Sequence, residues 1–385
     1  LDRSSAASDV YKRQIMSCPP SIIVGMSGGV DSSVTALLLK QQGYSVTGMY
    51  MKNWEETDAN GKCHSQRDMD DVIRVCDHLN IPYYTTNFTK EYFEEVFTLF
   101  IRDLKLGLTP NPDILCNKKI KFNVFLQKIL RTGATYLATG HYARIKDLQL
   151  CRAIDNTKDQ TYFLYPLQRD QLQSILFPLG GYTKKSIRKI AKDHGLPIHS
   201  KKDSTGICFI GKRNFSQFIQ QYIPLKNGFI YSIEGKKLGT HLGAYFYTLG
   251  QRKNLGIGGP GRAWFVVKKD IHTNTIFVAQ GEDHPALYSD SLIATQPIFS
   301  SYPTFPLYCT AKIRYRQNHQ SCIVIRHSEN ILEVQFTNPQ RAITPGQAIV
   351  FYSGEACLGG AIIESSGLSY YDQKKPLFLN TTDSV

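Results

Sequence analysis

A chain of 385 residues exceeds one ordinary hydrophobic core, so two or three domains are expected. Its 45 Lys and Arg against 32 Asp and Glu leave a formal charge of +13, which favours a polyanionic partner or simply solubilises the exterior. No apolar run approaches the roughly 18 residues of a membrane-spanning helix, and the nine dispersed cysteines contain no CxxC pair, which argues against a disulfide framework, a zinc finger or a thioredoxin-like site and fits a reducing cytoplasm.

Residues 1–15 carry Asp2 and Asp9 and no apolar signal core, so they read as a foreign or disordered tail ahead of a start at Met16. From Ser21 to Gly140 short β-rich runs alternate with longer amphipathic ones. This predicts strands at 21–26, 45–51, 82–88 and 135–139 and helices at 32–42, 68–79, 90–106 and 118–131, with Gly43, Gly107 and Gly133 as helix stops. The pattern is that of an α/β domain with a parallel sheet. From Phe229 onward short Val, Ile, Phe and Tyr runs separated by Gly, Asn and Pro give an all-β signature, with a domain break inside the proline-rich stretch 285–306. The expected division is a tail at 1–15, a nucleotide-binding catalytic domain at 16–211, a small β-rich middle domain at 212–285, a C-terminal β-barrel at 286–370 and a flexible tail at 371–385.

The first strand runs directly into SGGVDSS at 27–33, after which Val34 to Leu39 continue as a helix. Two glycines allow the backbone close to phosphate oxygens, and the helix N-terminus offers unpaired N–H groups. Ser27 and Ser32 add hydroxyls, and Asp31 can orient the loop or help hold Mg²⁺. No GK[ST] follows and there is no GxGxxG, so this is neither a Walker loop nor a dinucleotide motif. A glycine-rich turn capped by Ser32 is the plainer alternative.

Further on, TPNPDILCN at 109–117 is a proline-braced loop leading into the basic helix that starts with Lys118, Lys119 and Lys121. Cys116 therefore sits near a helix N-terminus beside lysines, both of which favour a thiolate. Asp113, three residues earlier, is either a proton-handling carboxylate or a loop cap. A second cysteine, Cys208, lies in DSTGICFIG at 203–211. A cysteine is most often a small buried hydrophobe, the reading that suits Cys76, Cys151, Cys309, Cys322 and Cys357.

The string SGGVDS after a first strand resembles the PP-loop of the ATP pyrophosphatase superfamily, in which ATP is cut between its α and β phosphates. Together with MKNWEE, TPNPDILCN, IKF, ATGHYAR, KDQTYFLY, DSTGICFIG, YTLGQRKNLGIGG, RYRQ and TPGQ it resembles the tRNA-specific 2-thiouridylase family over about residues 22–363. The resemblance implies an adenine nucleotide α-hydrolase-like fold. It implies ATP and Mg²⁺ as cofactors, with ATP contacts at Gly25, Met26, Ser27, Gly28, Gly29, Val30, Asp31, Ser32, Met51 and Gly140. Asn111, Pro112 and Asp113 meet the target base. Cys116 and Cys208 carry the sulfur chemistry, Cys208 as a persulfide loaded by an upstream relay protein or cysteine desulfurase. Their disulfide is the by-product, which requires the two Cα atoms within about 7 Å at some stage. His141, Lys158, Asp159, Gln160, Arg314, Tyr315 and Gln347 fall where the family touches tRNA.

Candidate phosphate contacts are Arg188, Lys189, Lys192, Lys201, Lys202, Lys212, Arg213, Arg252, Lys253, Lys312, Arg314 and Arg316, each of which could equally be a solvated surface charge. Arg314-Tyr315-Arg316 reads as a strand with both arginines on one face. Another PP-loop ligase acting on a small metabolite would explain SGGVDS but not the paired cysteine loops. A non-catalytic tRNA-binding or sulfur-carrier protein would explain neither the intact loop nor both cysteines.

Overall fold

Ile22 and Val24 on one face of the first strand and Ile23 on the other are all buried, as a parallel strand covered on both sides requires. The computed structural model describes residues 19–55, 64–203 and 215–377. The strands of the first half are β1 (Ser21–Met26), β2 (Ser45–Lys52), β3 (Tyr83–Asn87), β4 (Tyr136–Thr139), β5 (Ala143–Lys146), β6 (Gln149–Arg152) and β7 (Ile175–Leu176). Five of them form a wholly parallel sheet in the order β3-β2-β1-β4-β7. The chain order reverses between β1 and β4, so the crevice beyond their C-terminal ends is where such a sheet binds ligands.

Helices α1 (Val30–Gln41), α2 (His64–Leu79) and α5 (Lys184–Asp193) cover one face, burying Val34, Leu38, Val72 and Ile187 against Ile22 and Val24. The other face is covered by two helices whose middles are π-helical. These are α3, running through Thr89–Tyr92, Phe93–Phe97 and Thr98–Lys105, and α4, running through Pro112–Leu115, Cys116–Phe125 and Leu126–Arg131. Gly43, Gly107 and Gly133 follow helix ends with positive φ, as expected.

The middle sheet has the order β10-β11-β8-β9, from β8 (Gly228–Ser232), β9 (Lys237–His241), β10 (Trp264–Asp270) and β11 (Thr275–Gln280). The last six strands are β12 (Tyr288–Phe299), β13 (Leu307–Lys312), β14 (Gln320–Arg326), β15 (Ile331–Arg341), β16 (Ala348–Ser353) and β17 (Ala356–Ser366). They run antiparallel as β12-β15-β14-β13-β16-β17 and close through a β12–β17 pairing into a barrel filled by Val324, Val334, Ile349 and Phe351. The β5–β6 hairpin extends this sheet, Cys151 pairing with Ala356 of β17. Ala348, Val350, Tyr352 and Cys357 of the barrel also join the core that holds Phe122 and Phe125 of α4. The first half and the barrel thus share apolar surface.

Three expectations change. The helix expected from 118 begins at Pro112, because Asn111 accepts from the Asp113 and Ile114 N–H groups and proline suits the first helical position. The proline-rich stretch 285–306 is largely strand β12. Its Pro297 is accommodated where the register with β17 shifts between Thr295 and Ile298, and the interval from Gln280 to Tyr288, which includes the expected 285/286 division, separates it from the middle sheet. Arg314-Tyr315-Arg316 is not a strand but part of the turn between β13 and β14, closed by the Gln317 side chain accepting from the Ile313 N–H at 2.9 Å.

Candidate active site at the ends of β1 and β4

Beyond Met26 the chain turns through Gly28, whose φ is +70° and where a Cβ would lie 2.5 Å from the Asp68 carbonyl oxygen, so only glycine is accommodated. Gly29 occupies the N-cap position of α1, and among the described residues no side chain hydrogen-bonds the first-turn N–H groups. That leaves donors and the positive end of a 12-residue helix for an anion. Gly140, just past β4, packs against this turn, since a Cβ there would stand 2.8 Å from Ser32 N and 2.9 Å from the Asp31 carbonyl carbon. The loop is tied internally by Ser32 Oγ, which donates to Gly29 O at 3.1 Å and accepts from Ser27 N at 3.2 Å. Ser32 is 4% exposed, so its hydroxyl braces the loop, whereas Ser27 is open to solvent. Met26 and Val30 are buried and can offer only backbone here, Gly25 lies against Phe125 of α4, and Met51 is half-buried at the end of β2.

Asp31 is engaged on both oxygens by Lys184 Nζ, at 2.7 and 2.8 Å, and accepts from the Tyr142 hydroxyl at 2.8 Å. A carboxylate held by an ammonium is a poor cation ligand, so the expectation of Mg²⁺ near Asp31 does not fit this arrangement. Lys184 also contacts Asp203 at 2.9 Å, and Asp203 takes Lys158 at 2.9 Å and Arg188 at 2.5 Å. Burial raises the Asp203 pKa, but Lys158 and Lys184 overcome this and hold it at about 2. Lys201 donates to Gly28 O at 3.0 Å, Asp68 at 2.9 Å and Asp71 at 2.6 Å, fixing the loop to α2. Arg188 and Lys201, expected on phosphates, are therefore engaged within the protein.

Helix α4 lies over the crevice. The His141 ring, next to Gly140, sits 5.7 Å from Phe122 of α4 and 6.0 Å from Phe177, and its Nδ1 is 2.7 Å from Thr139 Oγ1. Burial, then the Lys121 ammonium, hold this imidazole neutral far below its ordinary pKa. Asp113, in the first turn of α4, moves the opposite way. Burial raises its carboxyl, with Lys121 opposing. Asp113 and His141 therefore lie in the field of one ammonium. Cys116 is 1% exposed, one turn into α4, and its neighbour Asn117 donates to Phe163 O at 3.0 Å while its Oδ1 is buried without a partner among the described residues. Cys208, Lys212 and Arg213 lie outside the described residues.

The residues expected at tRNA divide. Asn111 and Pro112 start α4 beside Asp113. Asp159 is 3% exposed and its carboxylate accepts from Ala153 N and Thr161 Oγ1, while Gln160 accepts from Tyr142 N, so both side chains are bound internally. Arg314 donates to Leu249 O, Ala342 O and Thr344 Oγ1, each at 3.0 Å, and Tyr315 packs on Phe163 at 4.5 Å. Lys312 is 7% exposed, which removes it from the phosphate-facing set. Arg252, Lys253, Lys202, Lys192 and Arg316 remain exposed, as does Lys189, which pairs with Asp193 at 2.7 Å. Gln347 donates to Thr109 O at 2.6 Å, so the barrel braces the segment entering α4. Lys184, Tyr142 and Asp68 had no assigned role, and Lys121 was expected beside Cys116 rather than beside Asp113 and His141. Only Lys121 carried a local signal, lying on the same helix as Cys116.

This architecture defines a nucleotide-binding α/β domain of the PP-loop type followed by two β domains. Family models match in the same order: a tRNA methyl transferase HUP domain at residues 20–212, a tRNA methyl transferase PRC-barrel domain at 216–280 and an aminomethyltransferase β-barrel domain at 289–363. The tRNA-specific 2-thiouridylase MnmA of Protochlamydia amoebophila is 56% identical over 363 residues, covering 93% of this chain and 96% of the relative. The MnmA proteins of Listeria welshimeri (54% identical, 89% of this chain and 94% of the relative) and Staphylococcus epidermidis (52%, 89% and 95%) are similar over nearly the same span. The chain belongs to the tRNA-specific 2-thiouridylase MnmA family.

Proposed function

We propose that the protein is an ATP-dependent tRNA sulfurtransferase of the cytoplasm that converts the wobble uridine of tRNAs for Lys, Glu and Gln to 2-thiouridine. The observation that carries this reading is the uncapped N-terminus of α1, with Gly140 against it, facing a crevice roofed by the helix that bears Asp113 and Cys116. Bound ATP supplies the adenylyl group that makes the uridine C2 oxygen a leaving group. The first-turn amides of α1, with Ser27, stabilise the charge of the phosphates, a preorganised electrostatic role. Asn111 fixes the α4 start where a base leaving its stack is received, and the loss of stacking is offset by pocket contacts.

Asp113, with its raised pKa, takes or returns the proton at the reacting base or sulfur. Sulfur comes from Cys208, assigned from its motif as the persulfide carrier loaded by a relay protein or cysteine desulfurase; Cys116 attacks the Cys208 Sγ and expels the outer sulfur, either as sulfide that then displaces the adenylated oxygen or as the 2-thiouridine already bonded to it, and a Cys116–Cys208 disulfide is left in both cases. Mg²⁺, entering with ATP, would offset phosphate charge, while Asp31 is held by Lys184 and keeps the loop in place. Binding of tRNA weakens steeply with salt because the +13 chain displaces counterions.

The test is mass spectrometry of tRNA nucleosides after incubation with ATP, Mg²⁺ and a persulfide donor. Wild type yields 2-thiouridine with AMP and pyrophosphate, while Cys116→Ser and Cys208→Ser bind tRNA but yield none. Normal thiolation by either variant overturns the two-cysteine assignment.

A further inference from the structure

In the barrel, β13 and β14 pair with Cys309 directly opposite Cys322, and the two sulfurs lie 3.7 Å apart. The chain between them includes the turn with Arg314, Tyr315 and Arg316. We propose that Cys309 and Cys322 are a redox modification site, a dithiol that closes reversibly into a cross-strand disulfide and ties this turn into a ring.

Directly opposed residues of an antiparallel pair hold their Cβ atoms about 4.5–5.5 Å apart, close to the roughly 3.5–4.5 Å of a disulfide, so closure asks for a small approach of two strands already in register. The two thiols differ in access. Cys322 is 4% exposed within the barrel core, whereas Cys309 is half-buried against that core and reaches solvent. Contact with Cys309, then burial, keep the Cys322 thiol protonated. Cys309 therefore reacts first.

With a small-molecule disulfide as oxidant, Cys309 loses its proton and its sulfur attacks, forming a mixed disulfide and expelling one thiolate. Cys322 then gives up its proton and attacks Cys309 Sγ, expelling the second thiolate. Two protons and two electrons pass from the protein pair to the oxidant, which leaves as two thiols. The consequence falls on the turn. Arg314 spans Leu249 of the middle domain and Ala342 and Thr344 of the barrel, and Tyr315 rests on Phe163, so the ring restrains a junction of all three domains.

Full-length protein is incubated with glutathione disulfide, alkylated and mapped by peptide mass spectrometry, with amide hydrogen exchange measured in parallel. The expected result is a linked peptide pair containing Cys309 and Cys322, reversed by reduced thiol, with exchange at 313–319 slowed at least about threefold. Cys322→Ser should stop at glutathione on Cys309, and Cys309→Ser should leave Cys322 unmodified. Full alkylation of both cysteines after oxidation, a wild-type product that stops at the mixed disulfide, or unchanged exchange across the turn overturns the proposal. A Cys116–Cys208 link appears in different peptides and does not confuse the reading.

Discussion

Two aspartates, Asp203 in the crevice below the nucleotide loop and Asp113 on the helix above it, are pushed in opposite directions by their surroundings. Both lose water, but Asp203 gains Lys158 and Lys184 and stays ionised at about 2, while Asp113 is raised by burial that Lys121 opposes without overcoming. The first arrangement builds a fixed electrostatic floor. The second raises the carboxyl and so makes it easier to protonate. Environments that separate the pKa values of like groups assign their roles.

The largest effect expected from breaking this contrast is at the proton-exchanging member. Asp113→Asn keeps the shape of the α4 first turn but cannot transfer a proton, so kcat for thiolation should fall about 10²–10⁴-fold with tRNA affinity unchanged. An unaltered pH–rate profile would make Asp113 a cap and nothing more. Next is Gly140→Ala, which puts a methyl 2.8 Å from Ser32 N and displaces the first turn of α1. ATP-dependent pyrophosphate release should drop by about 10²-fold, the scale of losing one preorganised donor, with the circular dichroism spectrum intact.

The floor itself is tested by Lys184→Met, which leaves Asp31 and Asp203 facing each other without their shared ammonium. Because both carboxylates are partly exposed, a loss of about 2 kcal/mol is expected rather than the larger value of a fully buried pair, read as a fall in Tm. The sign with pH is fixed. A folded pKa of about 2, below the ordinary 3.8, contributes stability that is complete above pH 4 and is lost as pH falls toward 2. Asp203→Asn should flatten that part of the acid-denaturation curve. A curve identical to wild type would show the cluster to be energetically idle.

Legibility from sequence followed the same division. The nucleotide loop was readable because strand, glycine turn and helix are consecutive, while Gly140 and Cys116 stood out through the resemblance of ATGHYAR and TPNPDILCN to a family's motifs. What could not be read were partners brought together by folding. Lys184 lies 153 residues from Asp31 and Lys201 lies 173 from Gly28, and no local pattern marks either. The early start of α4 had a signal, since Asn followed by Pro suits an N-cap and first helical position, but it competed with the equally valid reading of a proline loop. Arg314-Tyr315-Arg316 alternates as a strand does, and only the closure by Gln317 makes it a turn. The Lys312, Arg188 and Lys201 charges failed as phosphate contacts for one reason. A sequence gives charge, while exposure and internal pairing decide whether it is available.

The smallest predicted effect lies where the barrel meets the site. Gln347 reaches Thr109 O at 2.6 Å, and Thr109 N donates to Pro345 O at 2.9 Å, so the backbone entering α4 is held by two bonds from the C-terminal domain. Gln347→Ala removes the first and leaves the second, a loss of about 1 kcal/mol of positioning. If Gln347 acts only by bracing Asn111 and Asp113, kcat should fall by about fivefold and the salt dependence of tRNA binding should stay as in wild type. If it acts by touching the RNA, KM for tRNA rises and kcat is unchanged. The ratio of the two changes therefore decides whether the barrel serves the reaction through the protein or through its substrate.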